Sequence, residues 1–247
     1  MTSEFVRWVA AGLVILIELV LLFNLFMNKD SKLQRLIKDT SSQEKIRDAS
    51  YSYSRSQLMW WTFIVISCFV VDMAITGAAN GIMNNTALTL IGISAGTTVA
   101  GRVIDNSQGN DTSVSMHQDH PSEGFWMDIL SDQNGVSIHR FQAVLFNIAF
   151  GFVFIAQLIQ KMQEYCQDHA AIHKLATITT EQTAKIAQVI QLPTFDPTTL
   201  GLIGISSATY VTLKFNENLS KKPAPAPAPA PDPAPAPDPA PAPDANA

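Results

Sequence analysis

The chain has 247 residues, 47% of them apolar and 15% charged, with a formal net charge of -5. A length of this order allows one or two domains, and the lack of a basic face excludes nucleic acid as a partner. Two cysteines, Cys68 and Cys166, are too few for a disulfide framework and leave the redox compartment open.

The first element is WVAAGLVILIELVLLFNLFM at residues 8–27. About 20 apolar residues at 1.5 Å each match the ~30 Å hydrocarbon core of a bilayer. The start, MTSEFVR, is not the cationic leader of a signal peptide, and no A-x-A cleavage site follows. The sequence therefore predicts a retained membrane helix within residues 1–28. Residues 29–57 form a basic linker carrying Lys29, Lys32, Arg35, Lys38, Lys45, Arg47 and Arg55. Such an excess of Lys and Arg belongs on the cytosolic side.

Four more spans follow, at 58–75, 87–101, 141–160 and 198–213, which makes five. With the N-terminus outside, Arg102, Arg140, Lys214, Lys221 and Lys222 also fall on the cytosolic side. The expected plan is a first hairpin at 58–105, an acidic cytosolic loop at 106–139, a second hairpin with an outer helical linker at 140–217, and a tail at 218–247.

The two hairpins repeat one another. LTLIGISAGTTV at 88–99 returns as LGLIGISSATYV at 200–211, and SYSRSQ at 52–57 returns as SIHRFQ at 137–142. In S-x-x-R-x-Q the Ser can cap an incoming helix, while Arg55 and Arg140 can reach the headgroups as anchors. Asn84-Asn85 and Asp196-Pro197 give both second helices a start signal. Because each hairpin enters and leaves on one side, the repeat is parallel rather than inverted.

Gly92 and Gly96 in one copy, and Gly204 and Ala208 in the other, are spaced for close helix packing in lipid. The alternative is that Ser94, Thr97, Ser206 and Thr209 line a polar path. Packing is the plainer of the two, since small polar residues commonly glue membrane helices together.

The paired S-x-x-R-x-Q and GISAGT/GISSAT segments, with the entry LSDQNGVSIHRFQ at 130–142, resemble a family of uncharacterised bacterial multi-pass membrane proteins. The resemblance covers residues 52–217. It implies a bacterial inner-membrane location and transfers no catalytic or binding residue.

The connecting segments carry weaker signals. GFWMDIL at 124–130 is a short apolar piece that can fold locally, dock a partner or lie at the membrane interface. Asp132-Gln133-Asn134-Gly135 lacks the acidic spacing of a calcium loop and reads as a turn. Thr179 and Gln182 are spaced as a capping box ahead of a stop at Pro193. Cys166, His169 and His173 would share one helix face, but no fourth ligand accompanies them, and the His117 and His120 pair lies on the other side of the membrane. No metal and no cofactor are expected. The alternating Pro-Ala tail can form neither helix nor sheet and is expected to be a disordered, extended spacer.

Two carboxylates fall inside spans, Glu18 in the first and Asp72 toward the outer end of the second. An intramembrane carboxylate costs at least ~2.5 kcal/mol unless paired or hydrated, and so invites a role. Aligning the two hairpins puts Gln157 at the position equivalent to Asp72, so both halves keep a polar group at that depth, and Asn24 and Asn147 add polarity. There is no phosphate loop, nucleophile elbow or H-E-x-x-H, so the chain does not read as an enzyme. The expected molecule is an all-helical integral membrane protein in contact with lipid, self-associating into a homo-oligomer. Two functions stay open: an oligomeric channel or ion conduit through Glu18, Asp72 and the Ser/Thr positions, or a scaffold whose cytosolic loop and tail hold a soluble protein partner.

Overall fold

The computed structural model describes residues 3–28, 31–39, 48–76, 83–108, 121–132, 135–173 and 192–217. The Pro-Ala tail, His117 and His120, Thr179 and Gln182, and the side chains of Cys166, His169 and His173 lie outside the described residues.

The protein is mostly helical: α1 (Ser3–Met27), α2 (Tyr53–Thr76), α3 (Asn85–Gln108), a short α4 (Phe125–Leu130), α5 (Ile138–His173) and α6 (Pro197–Glu217). Four segments are long and apolar enough to cross a membrane: Phe5–Met27, Tyr53–Ile75, Asn85–Gln108 and Ile138–Tyr165. A helix satisfies its own backbone polar groups, which is what hydrocarbon demands of a spanning segment. These lengths and compositions make the chain a multi-pass membrane protein.

The helix starts follow the capping residues. Ser52 and Ser137 directly precede α2 and α5, and their carbonyls accept the first helical bonds, from Ser56 N and Phe141 N. Asn84 Oδ1 accepts Ala87 N at the head of α3, and Asp196 Oδ1 accepts Thr198 N and Thr199 N at the head of α6. Pro197 occupies the first position of α6, where its missing N–H costs nothing.

Helices α2, α3, α5 and α6 form a four-membered bundle. Tyr53 meets Asn147, and Trp61 meets Phe154 further along, so α2 and α5 run in the same direction. Phe195 N donates to Thr86 Oγ1 at one end, and Gln108 Nε2 donates to Phe215 O at the other, so α3 and α6 also run together. Within α2 and α3, and within α5 and α6, the directions are opposed.

One half of this bundle is an apolar core of Trp61, Val65, Leu90, Phe154, Leu158, Leu192, Phe195 and Ile203. The other half is polar and carries Arg55, Arg140 and Lys214; it is called the basic end below. Helix α1 stands apart, packed on α2 through a single seam of Ala11, Glu18 and Leu25 at seven-residue spacing. Most of its other apolar side chains are exposed.

At the basic end the described parts of the connecting segments fold into a cap. A short 3-10 helix, Lys32–Leu36, tucks Gln34 under α1, where its amide donates to Leu25 O at 3.3 Å. Lys38 and Tyr51 form an isolated antiparallel bridge, and the Lys38 ammonium lies 4.8 Å from the Tyr51 ring centroid. Helix α4 is held by Asp128, which accepts Tyr51 N at 2.9 Å, Ser122 Oγ at 2.6 Å and Glu123 N at 2.9 Å. Burial, with the Asp128 carboxylate nearby, pushes the Tyr51 phenol above its usual pKa. Gly124, with φ 112°, makes the turn into α4 that a side chain would resist. Beyond it, β1 (Ser131–Asp132) and β2 (Gly135–Val136) pair antiparallel and deliver the chain into α5.

Candidate functional site

The polar half of the bundle is built around Asn147 on α5. Its Oδ1 accepts Trp61 Nε1 at 2.7 Å, and its Nδ2 donates to Tyr53 OH at 3.0 Å and to Ala143 O at 2.7 Å. Its backbone carbonyl accepts Trp60 Nε1 at 3.0 Å. Two indoles and a phenol on α2 are thereby keyed to one turn of α5. The approach is close: a Cβ on Gly151 would lie 2.6 Å from Trp60 Cζ2.

One turn closer to the basic end, Gln57 Nε2 donates to Ser207 Oγ at 3.0 Å, linking α2 to α6. Thr98 Oγ1 lies 3.0 Å from Ser54 O and 2.9 Å from Ser94 O. The Tyr53 and Tyr210 rings sit 4.5 Å apart, and the Arg140 guanidinium lies 5.4 Å from the Tyr210 ring centroid. Arg140 is therefore buried against an aromatic ring, whereas Arg55 reaches out to donate to Arg35 O at 2.8 Å. The two S-x-x-R-x-Q arginines have different surroundings.

The strongest link is an ion pair. Lys214 Nζ on α6 lies 2.8 Å from Asp105 Oδ2 on α3, with the two residues 6% and 3% exposed. Gly101 makes room for it, since a Cβ there would lie 3.8 Å from Lys214 Nζ. Breaking a buried pair of this kind leaves an uncompensated charge and costs about 3–5 kcal/mol. Reading the sequence used Lys214 only as a cytosolic-side cation and did not single out Asp105. The available signal was a cation at equivalent places in the two copies, Arg102 and Lys214, with Asp105 one turn beyond Arg102.

Three of the four hydroxyls expected to line a path turn onto their own helices. Ser94 Oγ donates to Leu90 O, Thr97 Oγ1 to Ile93 O and Thr209 Oγ1 to Ile205 O, all at 2.7–2.9 Å. Ser94 and Thr97 are buried, while Ser206 and Thr209 are half-buried. Of the small residues, Gly92 and Gly96 are exposed, with no heavy atom within 4 Å of an added Cβ. Gly204 approaches Ile93, and Ala208 is exposed. Glu18 is buried in the α1–α2 seam and accepts a hydrogen bond from Ser67 Oγ. Asp72 is buried on α2 within the field of Lys161, whose Nζ lies 3.5 Å from Leu192 O. Among the described residues, no group of three or more His, Cys, Asp or Glu side chains could hold a metal ion.

A groove of about 1460 Å³ runs between α1 and α5 with α2 as its floor. Phe26 and Phe125, whose ring centroids are 5.3 Å apart in an edge-on contact, lie at its basic end. No family model, curated protein or solved structure matches the chain.

Proposed function

We propose that this protein is a non-catalytic scaffold or anchor of the bacterial inner membrane, built from five spans with a duplicated parallel hairpin. In this reading α6 is the fifth span, the N-terminus lies outside, and the basic end and the Pro-Ala tail lie in the cytosol. The exposed Gly92 and Gly96 face is where copies would associate into an oligomer. The inner-membrane location rests on the resemblance carried by the S-x-x-R-x-Q and GISAGT/GISSAT segments.

The observation that carries the scaffold reading is how the polar interior is used. The hydroxyls of Ser94, Thr97 and Thr209 are bonded to their own helices. Asn147, Lys214 and Asp105 are bonded to neighbouring helices. Groups so committed hold a bundle together and leave little to replace the hydration shell of a passing ion. The cap then offers Trp126, Met127, Val136 and Ile138 as exposed apolar side chains for a partner.

A second reading is favoured by Glu18, an acidic side chain buried midway along α1 in the α1–α2 seam: a conduit formed between copies. Ion flux into liposomes containing the full chain separates the two. The scaffold reading expects no flux above protein-free vesicles, from wild type or from Glu18→Gln. Flux that falls with that substitution, at matched incorporation, overturns it in favour of the conduit.

A further inference from the structure

The groove between α1 and α5 has three properties that together specify an occupant. Along α2 it extends from Tyr53 to Val71 and along α5 from Val144 to Met162. At 1.5 Å per residue the α2 floor and the α5 wall are each about 27 Å long, nearly the thickness of the hydrocarbon core, while α1 walls the basic end from Leu19 to Met27. A trough of that length in a membrane is filled by something apolar and elongated, because water is absent there.

The walls are bulky. Phe23, Met59, Trp60, Phe63, Phe152 and Met162 project into the groove, and glycine and alanine are missing from its lining. Helices associate in lipid by bringing backbones together over small residues, so these walls hold a second helix at a distance. Flexible chains that fit between aromatic and methionine side chains suit them better.

The third property is polar. Near the basic end, two residues of the lining, Ser56 and Gln57, have oxygen atoms that are buried and unpartnered: Ser56 Oγ and Gln57 Oε1. Gln57 is 3% exposed and its amide nitrogen is already committed to Ser207. Its carbonyl can only accept, so a matching ligand must donate. A buried acceptor without a donor is costly, and native structures rarely leave one without a compensating role. The two residues sit within the first five of α2, roughly 4–6 Å in from its start, the depth at which the polar end of a lipid would meet its chains.

We infer that the groove between α1, α2 and α5 is a binding site for one acyl-chain lipid whose polar end carries a hydrogen-bond donor, a hydroxyl or an ammonium, received by Ser56 Oγ and Gln57 Oε1. The chains lie along Trp60, Phe63 and Phe152, and Phe125 of α4 lies beside the polar end. The site does not depend on whether the protein is a scaffold or a conduit.

The test uses the full chain, purified in mild detergent and examined by native mass spectrometry. Phosphatidylglycerol and phosphatidylcholine with identical chains are supplied in competition. Phosphatidylglycerol has free hydroxyls and phosphatidylcholine has no donor. Wild type is expected to retain one lipid, with the glycerol form favoured about fivefold or more, as one to two hydrogen bonds predict. Ser56→Ala should reduce that preference, and Ile148→Trp, which fills the groove, should abolish retention. Leu88→Trp, equally bulky but on the exposed face of α3, should leave both intact. Should Ile148→Trp fail to fold, quenching of wild-type tryptophan fluorescence by brominated-chain lipids gives an independent reading through Trp60 and Trp126. It should persist after detergent washing that removes bulk lipid.

Folded wild type that retains no lipid overturns the site, as does retention unchanged by Ile148→Trp. Equal retention of the two headgroups overturns the donor requirement. A dimer lost in Ile148→Trp, with no lipid in wild type, assigns the groove to a second copy instead.

Discussion

Two copies of nearly the same segment, LTLIGISAGTTV in α3 and LGLIGISSATYV in α6, lie side by side and bury different faces. In α3 the buried positions include Leu90, Ser94, Thr97 and Gly101. In α6 they are Ile203, Ser207, Tyr210 and Lys214, each the partner of the residue that follows its α3 counterpart in the alignment. A shift of one residue rotates the inward face by about 100°. The neighbours explain it. Helix α6 must present Lys214 to Asp105, Ser207 to Gln57 and Tyr210 to Tyr53, whereas α3 turns inward at Gly101 to admit them. A repeated sequence therefore specifies a repeated helix, and the facing residues specify its rotation.

The largest test of that difference is electrostatic. Lys214→Met should destabilise the bundle by about 3–5 kcal/mol, because it strands Asp105 among helices. The equivalent change in the other copy, Arg102→Met, falls on a half-exposed residue and should cost under about 1 kcal/mol. Denaturant-titrated unfolding in detergent, followed by circular dichroism, measures both. Lys214→Met combined with Asp105→Leu should recover much of the loss, since replacing both partners removes the stranded charge.

A smaller contrast concerns the glycines. Gly151→Ala would push a Cβ into the Trp60 ring at 2.6 Å and should cost about 1–3 kcal/mol through forced repacking. Gly92→Ala meets nothing within 4 Å and should be neutral or slightly stabilising in the monomer. Thermal unfolding of the two variants side by side separates a glycine needed inside the bundle from one free on its surface.

Smaller again is the hydroxyl pair in α6. Ser207→Ala deprives the Gln57 amide of its partner and should cost about 1–3 kcal/mol at most, toward the lower end if the amide finds another. Ser206→Ala, one residue away on the less buried face, should stay within ~0.5 kcal/mol.

The smallest effect is at the helix starts. Hydrogen bonds from the Thr199 hydroxyl, and from the Thr199 and Thr198 amides, hold the Asp196 carboxyl below its usual pKa. A carboxyl lowered in the folded state stabilises it above the ordinary carboxylate range, and that contribution is lost as pH falls through the folded value. Asn84, the equivalent cap of α3, does not titrate. Amide exchange at the start of α6 should therefore quicken as pH is lowered below about 4, once corrected for intrinsic rates, while the start of α3 stays protected. Asp196→Asn should remove the dependence.

Much of this architecture was legible in the sequence. The long apolar runs identify the four helices fit to cross a membrane, and Ser52, Asn84, Ser137 and Asp196 mark where α2, α3, α5 and α6 begin, because capping is a local property. Helix α3 runs through Gln108, beyond the expected end at residue 101, because Ile104, Asp105 and Gln108 are held by α6 and its neighbours rather than by lipid. The cap was not legible as a unit. Asp128 binds Tyr51 and Ser122 across separate segments, and no periodicity reports such a contact. Nor was the ion pair, since a Lys beside an Asp in two distant helices gains meaning only when the rotation of each helix is fixed. Glu18 was conspicuous as a charge in a span, but its partner Ser67 is an ordinary residue until α1 and α2 are packed.

The most direct test is the water accessibility of the repeat hydroxyls. Single cysteines at positions 94, 97, 206 and 209, on a background lacking Cys68 and Cys166, are exposed in liposomes to a membrane-impermeant thiol reagent. If the two copies bury different faces and leave no shared lumen, all four stay unlabelled until the protein is denatured. Rapid labelling of the equivalent positions in both α3 and α6 would mean that the two helices line one aqueous path, and would contradict the rotation that separates them.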